Sequence, residues 1–390
     1  MANDLTITQL STILNSIMTQ ATGRGPIAIN NTADFVNVGQ TALKAGYDNL
    51  LGAISQVMGR TVFSIRPYTR KFRSLSVSRQ QYGNMTRKLN ISDADWENDG
   101  HLELADGDSV DMYKVKKPNI LQLNFYGMNV YERHITLFKD QLDAAFRGPD
   151  DFAAFVTMYM QNTTDVIEQT HENLSRAIIG NAIGGKIASG DNVSVIDVIT
   201  EYNKVSGTSL TMADIFKPDN FFSFAQWLSG FIKGIRSMLT ERTVMYHTNV
   251  TGKEIARHTP LNEQLGYIYA PVLFEIDARS KSNTYHNALV DIAGFEPVNF
   301  WQSAQDKQSL NVTPVYLEQT GALAKSPTPI EINDLLGVIF DREMMGYTIV
   351  NEWVASSPFN AKGGYSNTFF HFTDQWWNDF TENCVILRLR

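Results

Sequence analysis

The chain has 390 residues, a net charge of −8 and 43% hydrophobic residues, a composition typical of a globular protein with a large core. The negative charge argues against a protein that wraps nucleic acid by neutralising phosphates, and no run of about eighteen apolar residues could span a membrane. The single cysteine, Cys384, cannot form an internal disulfide, which is typical of a reducing compartment. The N-terminus lacks the features of a signal peptide, so we expect the protein to stay where it is made.

Residues 1–58 form a segment with few charges. Leu10, Ile13, Leu14 and Ile17 recur at helical steps, and the sequence TGRGP at 22–26 ends that pattern. Two interpretations remain open. The segment is either an apolar arm that packs on another molecule, or a helix that folds back onto its own domain.

The next segment separates its charges along the chain. Eight basic and no acidic residues lie between 60 and 92, followed by eight acidic residues and no Lys or Arg between 93 and 111. Strand-like stretches at 74–83 and 109–117, with turn signals at Asp99-Gly100 and Asp106-Gly107, predict a long two-stranded ribbon with a basic stem and an acidic tip. Such a ribbon buries too little surface to be stable alone.

Two interpretations of this ribbon remain open: a solvated charged hairpin, or a hairpin that docks on neighbouring copies of the chain. The second interpretation predicts inter-subunit contacts from the basic stem and from the acidic tip. The candidates in the stem are Arg66, Arg70, Lys71, Arg73, Arg79, Arg87 and Lys88, and those in the tip are Asp93, Asp95, Glu97, Asp99, Glu103, Asp106 and Asp108.

The longest helical pattern follows. Pro149 suits a first helical position, Asp150 and Asp151 complement the helix dipole, and apolar residues recur at three- and four-residue steps up to Ala182. The pattern predicts a helix over 149–183, roughly 50 Å long, that lies across a sheet and ends at Gly184-Gly185.

The remaining chain mixes helical and strand patterns. We predict helices at 193–205 and 220–242, strands at 243–250, 267–276 and 312–319, and a linker at 322–332. Residues 335–349 predict a strand, a short helical turn and a second strand, and two further extended segments follow at 364–377 and 384–390.

No motif supports catalysis. In GNAIGGKI (180–187) the glycines and Lys186 have the spacing of a phosphate loop, but Ile187 replaces the Ser or Thr that holds Mg²⁺. The acidic stretch 95–106 departs from a calcium loop at two ligand positions, and the seven histidines show no metal-ligand spacing. We therefore expect no enzymatic activity, cofactor or metal. A nucleotide-binding enzyme and a DNA-binding protein that uses the basic stem are remote alternatives.

The order of these elements resembles the major capsid protein of tailed bacteriophages (Caudoviricetes), which has the Hong Kong 97-type fold. The stretches LLGVIFDREMMGYTI (335–349) and FTENCVILRLR (380–390) look like the closing strands of that family. The stretches ISQVMGRTVFSIRPYTRKF, VKKPNILQLNFYG and IYAP are similar to capsid proteins of short-tailed phages.

The resemblance implies an α+β fold with an N-terminal arm, an extended hairpin loop, a long spine helix with a peripheral sheet, and an axial α/β domain. The implied segments are the arm (1–58), the extended loop with its flanking strands (59–134), the peripheral domain with the spine helix (135–190), the axial domain (191–335), and the closing strands of the peripheral domain (336–390).

The resemblance also implies a function: self-assembly into the icosahedral head that encloses a double-stranded DNA genome. The implied partners are copies of the chain in hexamers and pentamers, a portal, and packaged DNA through non-specific contacts, without a membrane. The implied location is the virion, after assembly in the host cytoplasm. Because the segment before the loop is short and poor in charge, we expect a separate scaffolding protein. An encapsulin-type cellular shell is the main alternative, although encapsulins usually have a shorter loop.

Overall fold

The computed structural model describes residues 7–29, 32–44, 46, 49–50, 53–54, 57, 70–77, 86–91, 100–113, 115, 117, 119–281 and 294–390. Its helices are α1 (Ile7–Thr22), α2 (Thr32–Leu43), α3 (Lys139–Ala145), α4 (Pro149–Ala188), α5 (Val198–Ser206), α6 (Met212–Ile215), α7 (Pro218–Met238) and α8 (Ala270–Lys281). Across these ranges, no helix is both long enough and apolar enough to cross a membrane.

The strands fall into two larger sheets and several short pairs. They are β1 (Thr86–Ile91), β2 (Ile120–Phe125), β3 (Gly127–Phe138), β4 (Val195–Asp197), β5 (Gln264–Tyr269), β6 (Glu296–Val298), β7 (Leu310–Val312), β8 (Val315–Leu317), β9 (Leu323–Lys325), β10 (Ile330–Ile332), β11 (Leu335–Asp341), β12 (Met345–Ser356), β13 (Tyr365–Asn378) and β14 (Cys384–Arg388).

Helix α4 begins where the sequence predicts, with Pro149 in its first turn. It does not end at Gly184-Gly185, however, but continues to Ala188. A β-carbon on Gly184 would lie 2.7 Å from Val312 Cγ2, and one on Gly185 would lie 2.5 Å from Phe380 Cζ. These glycines therefore permit close packing inside a helix, and they do not terminate it.

A three-stranded antiparallel sheet, in the order β12-β13-β3, packs one face against the N-terminal half of α4. Strand alternation puts Phe370, Phe372 and Asp374 of β13 on that buried face. Helices α1 and α2 cover the same core, where Leu14 and Ile17 are fully buried. Of the two interpretations of the N-terminal segment, the structure shows the one in which it folds onto its own chain.

A five-stranded mixed sheet, in the order β4-β14-β11-β5-β6, lies between the C-terminal half of α4 and helices α5, α7 and α8. Its central strand β11 is buried along its whole length and pairs with β14 on one side and β5 on the other. The predicted boundary at 335/336 thus runs through one sheet, because β11 and β14 pair with strands of the predicted axial segment. The division of the chain into peripheral and axial domains stays a prediction.

Two predicted strands differ in the structure. Residues 243–250 form only isolated bridges, from Thr243 to Arg257 and from Val250 to Lys253. Within this stretch His247 is buried, and its Nε2 lies within hydrogen-bond distance of the Asn249 side chain and the Ile255 carbonyl. The strand predicted at 267–276 ends at Tyr269, where α8 begins. Pro271 fits this change, because proline is tolerated in a first helical turn and lacks the N–H that a strand ladder needs.

Three further predictions are corrected. Residues 342–344 form a turn and not a helical segment, and the predicted linker 322–332 contains the short strands β9 and β10. The ribbon is present, but its paired strands are β1 and β2, so the second strand begins at Ile120 and lies beyond the predicted stretch 109–117. The first predicted stretch, 74–83, is described only up to Val77.

Candidate assembly interface

The ribbon formed by β1 and β2 has one face against the body of the protein and one face in solvent. Leu121 is buried on the inner face, opposite Asn90. On the outer face Leu89, Ile91 and Ile120 are 61%, 65% and 52% exposed, and Ile91 lies directly opposite Ile120. An exposed cluster of large apolar side chains on a paired ribbon indicates a surface that another molecule covers.

The acidic segment beyond the ribbon is exposed wherever it is described. Glu103, Asp106 and Asp108 face solvent. They are followed in the chain by exposed apolar side chains, namely Val110, Met112, Tyr113 and Val115. The other predicted tip residues, Asp93, Asp95, Glu97 and Asp99, lie outside the described residues, as do Arg66 and Arg79 of the predicted stem.

The predicted basic stem divides into exposed and buried members. Lys71, Arg73 and Arg87 are exposed. Arg70 is buried, and its guanidinium forms an ion pair with Glu168 of α4 at 3.1 Å. This location corrects the sequence interpretation of Arg70 as part of an exposed stem: the side chain is bound inside its own subunit.

The Arg70 site continues through α4 to the three-stranded sheet. Arg70 Nη1 lies 3.3 Å from His171 Nδ1, and His171 Nε2 lies 3.3 Å from Asp374 Oδ2. Because a guanidinium only donates, His171 Nδ1 accepts, and the proton of a neutral imidazole sits on Nε2, facing the carboxylate. The backbone N–H of Lys71 donates to Glu172 on the same helix. These contacts hold residues 70–71 on α4, and His171 in turn links α4 to β13.

Sequence reasoning missed this site, although the sequence carries a signal for it. Glu168, His171, Glu172 and Ser175 recur at three- and four-residue steps, and all four are buried. They form a polar stripe on the buried side of α4, where Leu174 and Ile178 are buried as well. A polar stripe of this kind predicts buried hydrogen-bond partners from elsewhere in the chain.

Lys88 is also bound within the subunit. It lies on the inner face of the ribbon, and its ammonium contacts Glu343, Asp379 and Glu382 at 2.9, 3.0 and 2.5 Å. Burial alone would lower the pKa of Lys88, but the three carboxylates outweigh burial and raise that pKa above its usual range. Lys88 is therefore an internal anchor of the ribbon.

The outer face of the three-stranded sheet is a second exposed surface. Val130 on β3 and Trp353 on β12 are exposed. The Trp353 indole stacks on His371 of β13 with ring centroids 3.8 Å apart, and Phe369 lies beside His371 on the same strand. This apolar and aromatic face has the character of a protein contact surface.

Residues 11–387 match the Phi29-like phage major capsid protein family. The chain belongs to this family. The match covers nearly the whole chain, including the ribbon, α4 and both larger sheets. It identifies a capsid shell protein of a tailed phage, and it decides between the phage shell and the encapsulin alternative in favour of the phage shell.

Solved capsid structures share the fold. The chain is similar to one in a capsid structure of Staphylococcus phage Andhra, with a TM-score of 0.55, 10% identity, and coverage of 84% of this chain and 86% of that chain. A chain in a structure of the head fiber and inner core protein gp22 of native bacteriophage P68 gives a TM-score of 0.55, 12% identity and the same coverage of 84% and 86%. No curated protein matches the sequence.

The other sequence motifs have structural places in this capsid protein. Lys186 of the phosphate-loop-like stretch is fully buried and pairs with Asp191 at 3.2 Å. Cys384 is buried in β14. Phe380 belongs to the core beneath the five-stranded sheet, whereas Trp376 and Trp377 are half-buried. In the described part of the chain, no group of His, Cys, Asp and Glu side chains is arranged to hold a metal ion.

Proposed function

We propose that copies of this capsid protein join as hexamers and pentamers into an icosahedral head around a double-stranded DNA genome. The ribbon and acidic segment of one copy dock on the next copy. The observation that carries the proposal is the exposed apolar face of the ribbon, formed by Leu89, Ile91 and Ile120. A shell subunit needs such a surface because its neighbours supply the missing contacts.

The charges support a head-to-tail contact. The exposed acidic residues Glu103, Asp106 and Asp108 lie on a different segment from the exposed basic residues Lys71, Arg73 and Arg87. A contact between the acidic segment of one copy and the basic residues of the next pairs two different surfaces. Contacts of this heterologous type form rings when the rotation between neighbouring copies closes, and complementary charge sets their register.

The receiving surface in this proposal includes the outer face of the three-stranded sheet. Val130 and Trp353 would be covered by apolar side chains from a neighbouring ribbon. Burial of such side chains is worth roughly 1.5–3 kcal/mol each, so a few of them, together with the charge pairs, form a strong contact when repeated around a ring.

The remaining partners are also proposals. A separate scaffolding protein would guide curvature, and a portal would occupy one vertex. Packaged DNA would make only non-specific contacts, which the net charge of −8 keeps weak. Assembly in the host cytoplasm would precede incorporation into the virion. The role is structural and not enzymatic.

A charge-swap experiment tests the docking contact. One variant carries Lys71→Glu, Arg73→Glu and Arg87→Glu, a second carries Glu103→Lys, Asp106→Lys and Asp108→Lys, and a third carries all six changes. Each is expressed with its neighbouring genes, and particles are counted by negative-stain microscopy after size-exclusion chromatography. We expect no shells from the first two variants and shells from the third.

Shell formation by the variant with all six substitutions is the internal control, because it shows that the altered side chains do not block folding. Thermal unfolding of the unassembled chains should differ little among the variants, since all six side chains are exposed. Normal shells from either variant with three substitutions would contradict the proposed contact.

A further inference from the structure

Three polar side chains surround the buried imidazole of His171. Its Nδ1 lies 3.3 Å from Arg70 Nη1, and its Nε2 lies 3.3 Å from Asp374 Oδ2. Its ring stacks on the ring of Tyr347 with centroids 5.8 Å apart, and the guanidinium carbon of Arg70 lies 5.7 Å from the same Tyr347 centroid. All four side chains are buried. They form one polar cluster, which we call the His171 cluster, between α4, β12 and β13.

Four polar atoms of the His171 cluster have no hydrogen-bond partner within the part of the chain that the structure describes. They are Arg70 Nε, the Tyr347 hydroxyl and both carboxylate oxygens of Asp374. The contact between Asp374 and His171 has the distance of an ion pair without the geometry of a hydrogen bond. Buried polar atoms in folded proteins almost always pair with protein or with ordered water. Four such atoms around one imidazole therefore indicate a bound polar molecule.

The four atoms select the kind of molecule by their hydrogen-bonding character. The N–H at Arg70 Nε only donates, the Asp374 carboxylate only accepts, and the Tyr347 hydroxyl does both. A cation would satisfy the oxygens and leave the N–H unpaired, whereas an anion would be repelled by the carboxylate. A water molecule donates two hydrogen bonds and accepts two, so it satisfies donors and acceptors together.

The three-stranded sheet is irregular beside the His171 cluster. Asp374 of β13 lies opposite Ile349 of β12, and the register between these two strands shifts between Ile349 and Asn351. A shift of this kind is a β-bulge, which leaves an extra residue unpaired and disrupts the ladder locally. The disruption thus falls at the residue whose carboxylate has no hydrogen-bond donor, which is a second and independent sign of bound water at this place.

We propose that the His171 cluster is a binding site for buried water, which donates to the Asp374 carboxylate and accepts from Arg70 Nε–H and the Tyr347 hydroxyl. The water links side chains that do not hydrogen-bond to one another. Residues 70–77 pass over this site, where the Val77 N–H donates to the Tyr347 carbonyl at 3.0 Å, so the water also holds this segment on the body. The site lies within one subunit, so it does not depend on the proposed assembly.

An experimental structure of the wild-type protein, as shell or as unassembled chain, at a resolution that shows ordered water tests the site directly. We expect a density peak within roughly 3.2 Å of both an Asp374 oxygen and the Tyr347 hydroxyl. Direct hydrogen bonds among Arg70, Tyr347 and Asp374 with no density between them would overturn the proposal. A peak with several oxygens at only about 2.3–2.6 Å would be typical of a cation and would overturn it as well.

A double-mutant cycle tests whether the water couples Tyr347 to Asp374. Tyr347→Phe keeps the ring that stacks on His171 and removes only the hydroxyl, and Asp374→Asn replaces the carboxylate by an amide of similar size. Thermal unfolding midpoints are measured for both single variants and for the double variant. We expect the double variant to lose less than the sum of the two single losses, because either substitution already disrupts the shared water. Additive losses would contradict the proposal.

The matched control combines Tyr347→Phe with Asp106→Asn. Asp106 is an exposed carboxylate on a different segment, so this pair should show additive changes in the unfolding midpoint. Where Asp374→Asn fails to fold, the structure of the wild-type protein still decides the proposal, because it needs no substitution.

Discussion

The ring of Phe380 occupies the space beside Gly185 in which any other residue would place its β-carbon, 2.5 Å from Phe380 Cζ. This contact joins the C-terminal part of α4 to the turn before β14. It explains why a glycine that is unfavourable for helix propensity stands inside the longest helix of the chain. The same contact yields a test of the core.

Gly185→Ala should destabilise the protein by about 1–3 kcal/mol, because the added methyl group forces Phe380 out of its place. Urea unfolding followed by far-UV circular dichroism measures the change. Gly230→Ala is the control: Gly230 lies in α7 with no neighbouring atom within 4 Å of a β-carbon. It should gain up to about 1 kcal/mol from helix propensity. A Gly185→Ala variant as stable as the wild type would contradict this explanation.

Arg70→Gln should lower the free energy of unfolding by about 3–5 kcal/mol, because it removes the guanidinium that forms the ion pair with the buried carboxylate of Glu168. Both side chains are only 4% exposed. Arg73→Gln is the control, because Arg73 lies three residues further along the chain and its side chain is exposed. It should change the free energy of unfolding by no more than about 0.5 kcal/mol. Equal unfolding midpoints for the two variants would show that the Arg70 contacts contribute little.

Asp191→Asn should flatten the dependence of stability on pH. Burial alone would raise the pKa of Asp191, but Lys186 and hydrogen bonds from Ser194 outweigh burial and lower that pKa below its usual range. A lowered pKa in the folded state gives stability that is present above the unfolded value of about 3.9 and is lost as the pH falls through the folded value.

We therefore expect Asp191→Asn to be less stable than the wild type by roughly 3 kcal/mol at pH 7, with a difference that shrinks as the pH falls below the unfolded value of about 3.9. Urea unfolding at several pH values measures both curves. Asp106→Asn, an exposed carboxylate, is the control and should follow the wild type throughout. A difference for Asp191→Asn that is constant with pH would mean that its charge is not what matters.

Cys384 should remain unreactive in the folded chain. Burial raises the pKa of its thiol to about 12, and the thiolate is the reactive form. A disulfide reagent at pH 8 should modify the chain only as fast as it unfolds, and because the chain has one cysteine the signal has a single source. Rapid modification of folded protein would place Cys384 nearer the surface than β14 allows.

The predictions from the sequence succeeded where one local pattern dominated. Helix α4 was predicted from three- and four-residue spacing and from Pro149 at its start, and α7 from its helical pattern. Strands β11, β13 and β14 were predicted from apolar runs and alternation. The capsid family was predicted from the order of these elements, and residues 11–387 match a family of phage major capsid proteins.

The charge blocks show where local patterns are not enough. Lys71, Arg73 and Arg87 are exposed, as a basic stem would be, but Arg70 and Lys88 in the same block are bound inside the subunit. Their partners, Glu168 and Asp379, lie 98 and 291 residues further along the chain. A spacing rule for neighbouring residues carries no information about such partners.

The sequence by itself determined the periodicity of each segment, since side-chain direction repeats every 3.6 residues in a helix and every two in a strand. Only the tertiary structure decided which residues meet across segments: that Gly185 continues a helix beside Phe380, that the N-terminal helices cover their own core, and that Lys88 anchors the ribbon. The physical reason is that packing and ion pairing depend on distances in space, which chain folding sets over hundreds of residues.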